Sequence, residues 1–211
     1  MTEKLDGTNG LVFIQDATAP GADAHPLYDV AVSTSHGDYL VRAGSRNRWL
    51  ALDLPKLDGV VPRDNYGFAA WTRDNADDLV SLGPGHHYGE WYGHKIARGY
   101  GLTERRFALF NVGRWRPRTL APEDTEWWAT NHLGQALCPE SCTVVPTLAV
   151  APFNEVPACV ATLERQMHQR HSFAGNGFTR PEGVVIFDTA GRRYYKHLFG
   201  SVGPKSAGAA A

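Results

Sequence analysis

The chain has 211 residues, of which 43% are hydrophobic and 20% charged, with a formal net charge of −1 at neutral pH. That length fits one large domain or two small ones with a sizeable core, and the composition argues against long disorder. The near-neutral charge leaves any attraction for nucleic acid to local patches, and neither a membrane span of roughly 20 apolar residues nor a signal peptide is read in the sequence.

The first stretch of interest is "EKLDGTN" at 3–9. It reads either as a strand running into a turn or as a nucleophilic Lys4 followed by a nucleotide pocket. Further on, "LVFIQ" (11–15), "YDVAVST" (28–34) and "DYLVRA" (38–43) read as strands, the last two joined as a hairpin through "SHG". Residues 64–81 carry Phe68, Trp71, Leu79 and Val80 near helical spacing and stop at "GPG". "HHYGEWYG" (86–93), "RFALFNV" (106–112) and "CTVVPTLAV" (142–150) predict further strands. The "EWW" at 126–128 is expected to pack in a core and His86-His87 to lie on a strand surface. A helix is predicted over 155–171 with Asn154 as its cap. "GVVIFDT" (183–189) and "RRYYKHLF" (192–199) read as a closing antiparallel pair about Ala190-Gly191, followed by a flexible tail at 201–211. Many strands with few helices imply an α+β domain built on antiparallel sheet and spanning 1–200.

Several residues are of types that carry chemistry. A free lysine is almost wholly protonated at neutral pH, so nucleophilic use of Lys4 needs a nearby cation or burial. Asp6 and Gly7 suit a sharp turn beside it, and Thr8 and Asn9 add hydrogen-bonding groups. Glu90 in "YGEWYG" and Glu182 in "PEGVVIF" each read as a solvated strand carboxylate, or together as hard oxygen ligands for magnesium. Lys196 in "YYKHL" reads as an exposed strand lysine or a phosphate clamp. The segment 98–118 sets Arg98, Arg105, Arg106, Arg114, Arg116 and Arg118 against the single acid Glu104, with Phe107 and Trp115 interleaved. This is either a solvated basic face or a nucleic-acid surface. The three cysteines Cys138, Cys142 and Cys159 are too few and odd for a disulfide framework, which points to a reducing cytoplasmic setting. Cys138 and Cys142 with His168 and His171 invite a zinc reading, though the histidine pair is tighter than usual.

The order Lys4, Arg46, Glu90, Phe110, Glu182, Lys196 resembles the covalent nucleotidyltransferase superfamily of ATP-dependent ligases and mRNA capping enzymes. "KLDGTN" looks like its first motif, "GSRN" like the arginine motif that follows, and "YGEWYG" like the third. "FALFN" is similar to the aromatic strand after it, "EGVVIF" to the fourth motif and "YYKHL" to the fifth. The "TN" after "KLDG" and the continuation "YGHKIARGYG" bring the resemblance closest to the RNA ligase 2 family, over essentially 3–199.

The resemblance implies an antiparallel-sheet nucleotidyltransferase (adenylyltransferase) domain of the ATP-grasp-like DNA/RNA ligase type. It implies an ATP-dependent RNA ligase that joins RNA 5′-phosphate and 3′-OH ends, with no membrane and as a monomer. Lys4 would carry AMP as a phosphoramidate. Glu3, Asp6 and Gly7 flank it at the nucleotide, and Asn9 acts near the phosphate. Arg46 contacts the nucleotide near ribose and phosphate, Glu90 the ribose or a metal, and Phe110 stacks on adenine. Glu182 helps to hold magnesium and Lys196 neutralises the α-phosphate. The sequence departs from the pattern at Leu198, where a second lysine is usual, and at Phe187, where a basic residue often follows the fourth motif. Only Met1–Glu3 precede the lysine, where relatives normally have a segment that supports this strand, so the chain is expected either to be minimal or to start late. The alternatives are a DNA ligase or capping-type guanylyltransferase, or a catalytically impaired RNA-binding module of ligase type.

Overall fold

A computed structural model of the chain describes residues 1–51, 64–118, 135–169, 171–175 and 177–200. The predicted tail at 201–211 and the "EWW" at 126–128 lie outside the described residues. The described strands, in chain order, are β1 (Thr2–Lys4), β2 (Thr8–Asp16), β3 (Asp29–Thr34), β4 (Gly37–Gly44), β5 (Gly85–Gly93), β6 (Arg105–Leu109), β7 (Trp115–Arg116), β8 (Ala136–Leu137), β9 (Cys142–Val144), β10 (Gly183–Asp188) and β11 (Arg193–Leu198). The described α-helices are α1 (Phe68–Asp74), α2 (Ala76–Leu79) and α3 (Val156–Gln169). Two compact units result, one formed by Met1–Leu5 with the chain from Pro146 on, the other by Asp6–Val145.

The larger unit is built on a six-stranded sheet in the order β3-β4-β2-β5-β6-β9, antiparallel except where β9 joins β6. A small parallel pair, β7 with β8, stands beside it and was not expected from sequence. Strand alternation assigns the two faces. Val12, Ile14, Val41, Ala43, Trp91, Phe107 and Leu109 turn into one core with Phe68 of α1 and Leu79 of α2. Phe68 is the hub, its ring 5.0 Å from Phe107, 5.4 Å from Trp91 and 5.5 Å from Trp71. Gly10 and Gly89 leave the room for it: a Cβ at 10 would come within 2.8 Å of the Phe68 and Phe107 rings, and one at 89 within 2.6 Å of Phe107.

The helix predicted over 64–81 is instead two short helices and a 3-10 turn, Val80–Leu82. Asn75 breaks it. Its backbone N–H and its side-chain amide both donate to the Trp71 carbonyl, at 3.1 and 2.8 Å, which satisfies the end of α1 and turns the chain. At the other end Gly67 holds the cap position at φ 79 without a capping side chain. Asp64 supplies the missing acceptor, taking the Ala69 N–H at 2.9 Å. The "SHG" hairpin forms as expected, with Ser35-His36 as a two-residue loop between Thr34 and Gly37.

The smaller unit holds an antiparallel sheet in the order β1-β10-β11. Val160 and Leu163 of α3 pack on Val184, flanked by Val156, Ile186, Leu148, Met1 and Phe199. The helix begins at Val156 after a 3-10 turn, Phe153–Glu155, so Asn154 lies inside that turn and not at the cap. Pro157 in the first helical turn loses no hydrogen bond there. The strand predicted over 142–150 stops at Val144, before Pro146, where the chain leaves the larger unit. A mixed α+β architecture of mostly antiparallel sheets therefore stands as expected. No helix among the described residues is long and apolar enough to cross a membrane.

Candidate active site

In the smaller unit, strand alternation separates neighbours in sequence. Glu3 is 1% exposed, and the next residue, Lys4, turns to the opposite, half-open face. There the Lys4 ammonium donates to the carboxylate of Glu182, just ahead of β10. Register sets Lys4 opposite Gly183, which is opposite Leu198, while Thr2, Val185 and Lys196 form the row beside it. Directly paired residues share a face. Lys4, Lys196 and Leu198 therefore belong to one face of the small sheet, and the K-x-K spacing of the fifth motif is a same-face spacing with leucine in the second place. Phe187 and Tyr194 continue that face, their rings 4.7 Å apart.

Glu3, which the resemblance sets beside the nucleotide, has its carboxylate bonded within the smaller unit. Its carboxylate accepts the Ser172 hydroxyl at 2.5 Å and the Phe173 N–H at 3.0 Å, and its own N–H donates to Pro146 O at 2.8 Å. Burial pushes the Glu3 carboxyl up to about 7, against the lowering effect of these donors. The buried acid thus ties β1 to the chain at 172–173, and Ser172 is a partner that the sequence did not signal.

In the larger unit the turn after β1 is pinned from several sides. Asp6 donates its N–H to the Tyr100 hydroxyl at 2.8 Å, and its carboxylate accepts Arg98 Nε at 2.9 Å. The Gly7 N–H donates to Glu90 Oε1 at 3.0 Å. A Cβ on Gly7 would fall 2.4 Å from Trp91 O and 3.0 Å from Glu90 Cγ, so only glycine lets the turn lie against β5. Thr8 donates to Asn65 Oδ1 at 3.1 Å, and the Asn65 amide reaches Asn9 O at 3.2 Å. Asn9 stands directly opposite Glu90 in the β2–β5 register. Tyr100 sits in a left-handed conformation, φ 54, between Gly99 and Gly101 at φ 68 and 67. That strain holds its hydroxyl under the Asp6 turn. The "GYG" continuation was the only sequence sign of it.

Arg46 is exposed at the tip of a turn closed by the Ser45 N–H on Arg48 O at 2.8 Å. Phe110 follows the end of β6, 40% exposed, with its N–H on Tyr88 O at 3.0 Å. The structure thus gathers Lys4, Glu182 and the Lys196 face in one unit, and Asp6, Gly7, Asn9 and Glu90 in the other, with Arg46 and Phe110 exposed on the latter.

Three sequence readings are narrowed. Most of the arginines of 98–118 serve structural bonds. Arg98 pairs with Asp6, Arg106 with Glu104, Arg105 donates to Tyr66 O at 2.7 Å, Arg114 to Leu82 O at 2.6 Å and Arg118 to Cys138 O at 2.9 Å. Phe107 and Trp115 are 0% and 4% exposed, so neither offers a stacking surface. His87 is also buried, contrary to the expected surface position, with a ring nitrogen 2.8 Å from Gly83 O and its pKa lowered by burial; His86 is exposed as expected. The zinc reading finds no support: among the described residues no three His, Cys, Asp or Glu side chains gather for a metal. Cys138 and Cys142 are buried structural thiols whose pKa values burial raises.

Magnesium, which usually keeps waters and phosphate oxygens beside one or two carboxylates, remains compatible with Glu90 or Glu182 as donors.

A family model described as RNA ligase matches residues 1–198, a span that takes in residues of both units. No curated protein matches the chain, and neither does any solved structure.

Proposed function

The chain belongs to the RNA ligase family, and on that premise we propose that it is an ATP-dependent RNA ligase working through a lysyl-AMP intermediate on Lys4. The observation that carries the reading is the face of the small sheet. A lysine on a strand next to a turn donates to one carboxylate, Glu182, and shares its face with a second cation, Lys196.

An ammonium has no lone pair, so Lys4 must first give up a proton, and Glu182 already accepts a hydrogen bond from that nitrogen. The freed Nζ attacks the α-phosphorus of ATP, the bond to the β-phosphate oxygen breaks, and pyrophosphate leaves. A 5′-phosphate oxygen of RNA then displaces Nζ from the AMP. In the last step a 3′-OH attacks that 5′-phosphate and AMP departs. Charge builds on phosphate oxygens throughout, so positioning and cations do most of the work. Lys196 supplies one such cation. Magnesium, when bound to Glu182 or Glu90, would neutralise phosphate charge further. Arg46, Asn9, Asp6, Gly7 and Glu90 serve the nucleotide in this reading, with Phe110 stacked on adenine. The free cysteines agree with a cytoplasmic enzyme, and we place it there as a monomer.

The test is incubation with magnesium and ATP or GTP labelled on the α-phosphate, followed by denaturing electrophoresis and peptide mapping. Label from ATP on the peptide containing Lys4 is expected, lost in Lys4→Ala and kept in Cys138→Ala. Label from GTP alone would move the chain to capping chemistry, and no label from either would sink the ligase reading.

A further inference from the structure

The arginines of 98–118 are largely spoken for, yet another surface of the larger unit carries aromatic rings in the open. Register arranges the outer face of the six-stranded sheet in rows. Asn9, Glu90 and Ala108 make the first. Gly44, Leu11 and Tyr88 make the second, with Phe110 beside Tyr88. Arg42, Phe13 and His86 make the third. Trp49, bridged back onto Gly44, lies 5.8 Å from Phe13 with the Arg42 guanidinium 5.0 Å over its ring. Phe13 meets His86 at 4.6 Å, and the rings of His86 and Tyr88 are 6.2 Å apart with planes 14° from parallel. Tyr88 is 55% exposed and Trp49 37%. From Glu90 to His86 the rows run about 13 Å along one strand.

We propose that this face, formed by Phe13, Trp49, His86 and Tyr88, is a platform on which unpaired bases of an RNA strand stack. The inference rests on the ligase reading and names where the polynucleotide substrate lies. Three observations select RNA. The rings offer π-faces, which every base can stack on, and the His86 and Tyr88 rings lie nearly parallel and exposed, in the orientation a stacked strand uses. Arg42 is spent on a two-point bond to Asp29, at 2.7 and 2.6 Å, which fixes it over Trp49, and the cation left to meet phosphate is Arg46, exposed on the adjoining turn. The rows also run without interruption into Asn9, Glu90 and Phe110, the residues assigned to the nucleotide, so a strand lying on the rings leads to that end of the sheet.

The experiment titrates the full chain into a short fluorescein-labelled single-stranded RNA, and into the blunt duplex of the same sequence, following anisotropy at one fixed salt concentration. Wild type, Tyr88→Ala, His86→Ala and Tyr88→Phe are compared, and their unfolding midpoints are recorded. His86→Ala decides the matter if Tyr88→Ala proves unstable. Loss of single-strand affinity by about fivefold or more in at least one alanine variant is expected, with duplex binding little changed and Tyr88→Phe close to wild type. Unchanged affinity in both alanine variants overturns the platform, as does an equal loss on strand and duplex. So does a wild type that binds no single-stranded RNA, or a wild-type dimer that these substitutions dissolve. Lysyl-AMP formation by the wild type is read in parallel. Its absence sinks the ligase reading, while the anisotropy still decides the platform.

Discussion

Lys4 and Glu3 are adjacent in sequence and opposite in employment, because a strand sends consecutive side chains to opposite faces. The sequence made both candidates for the nucleotide; which of them is buried depended on what packs behind β1. Glu3 ended up against Ser172 and Phe173, with its carboxyl raised by burial to about 7 from the usual 4.5. The folded chain therefore holds a proton that the unfolded chain has released between those values. The corresponding stability is fully present below about pH 4.5 and is lost as pH rises through about 7. The loss amounts to at most about 3 kcal/mol. Urea unfolding of wild type at pH 5 and pH 7.5 should show this fall, and Glu3→Gln should flatten it. An equal slope in the variant would mean that another group is responsible. Gly7 is a residue whose meaning was visible in outline: the motif required a turn, and the structure adds that β5 leaves no room for a Cβ.

At the scale of elements, β2 and β5 were legible as short runs of apolar, β-branched and aromatic residues bounded by glycine turns. The helices were not, since their ends are set by bonds that spacing does not reveal. Asn75 ends α1 through the Trp71 carbonyl, and Asp64, three residues before the Gly67 cap, caps its first turn. Asp64→Ala should therefore cost about 1 kcal/mol in chemical denaturation. An unchanged midpoint would show that water replaces the carboxylate without loss. Gly89 faces a harder limit. A methyl there would sit 2.4 Å from Ala108 O and 2.6 Å from Phe107, and the β6 backbone cannot give way. Gly89→Ala should destabilise the larger unit by about 3 kcal/mol, read as a shift in its thermal unfolding. A shift near zero would mean that β5 and β6 slide apart easily. The arginines of 98–118 teach a related lesson. Their charge was plain in the sequence, but their carbonyl acceptors come from Tyr66, Leu82 and Cys138, up to 39 residues away for the Arg105–Tyr66 bond.

For the molecule as a whole, a magnesium ion that arrives with the nucleotide would serve the reaction and not the fold. Chelation with EDTA should abolish nucleotide labelling of Lys4 while leaving the melting temperature unchanged. A fall in melting temperature on chelation would instead reveal a structural ion. The family match over 1–198 spans both units, and the residues assigned to chemistry are likewise divided between them, with Lys4 and Asp6 on either side of the Leu5–Asp6 division.

By itself the sequence determined the class of fold, the family and the chemical identity of the candidate groups, because apolar period, turn residues and motif order are local properties of a chain. Tertiary structure alone decided the rest. It turned Glu3 inward and Lys4 onto Glu182, spent most of the arginines of 98–118 on carbonyls and carboxylates, set Tyr100 under Asp6, and left Trp49, His86 and Tyr88 exposed beside the half-buried Phe13 on one sheet face. Each of these outcomes depends on which strand pairs with which and in what register. That is settled by contacts between residues far apart in the chain, and it leaves no period or spacing in the sequence to read.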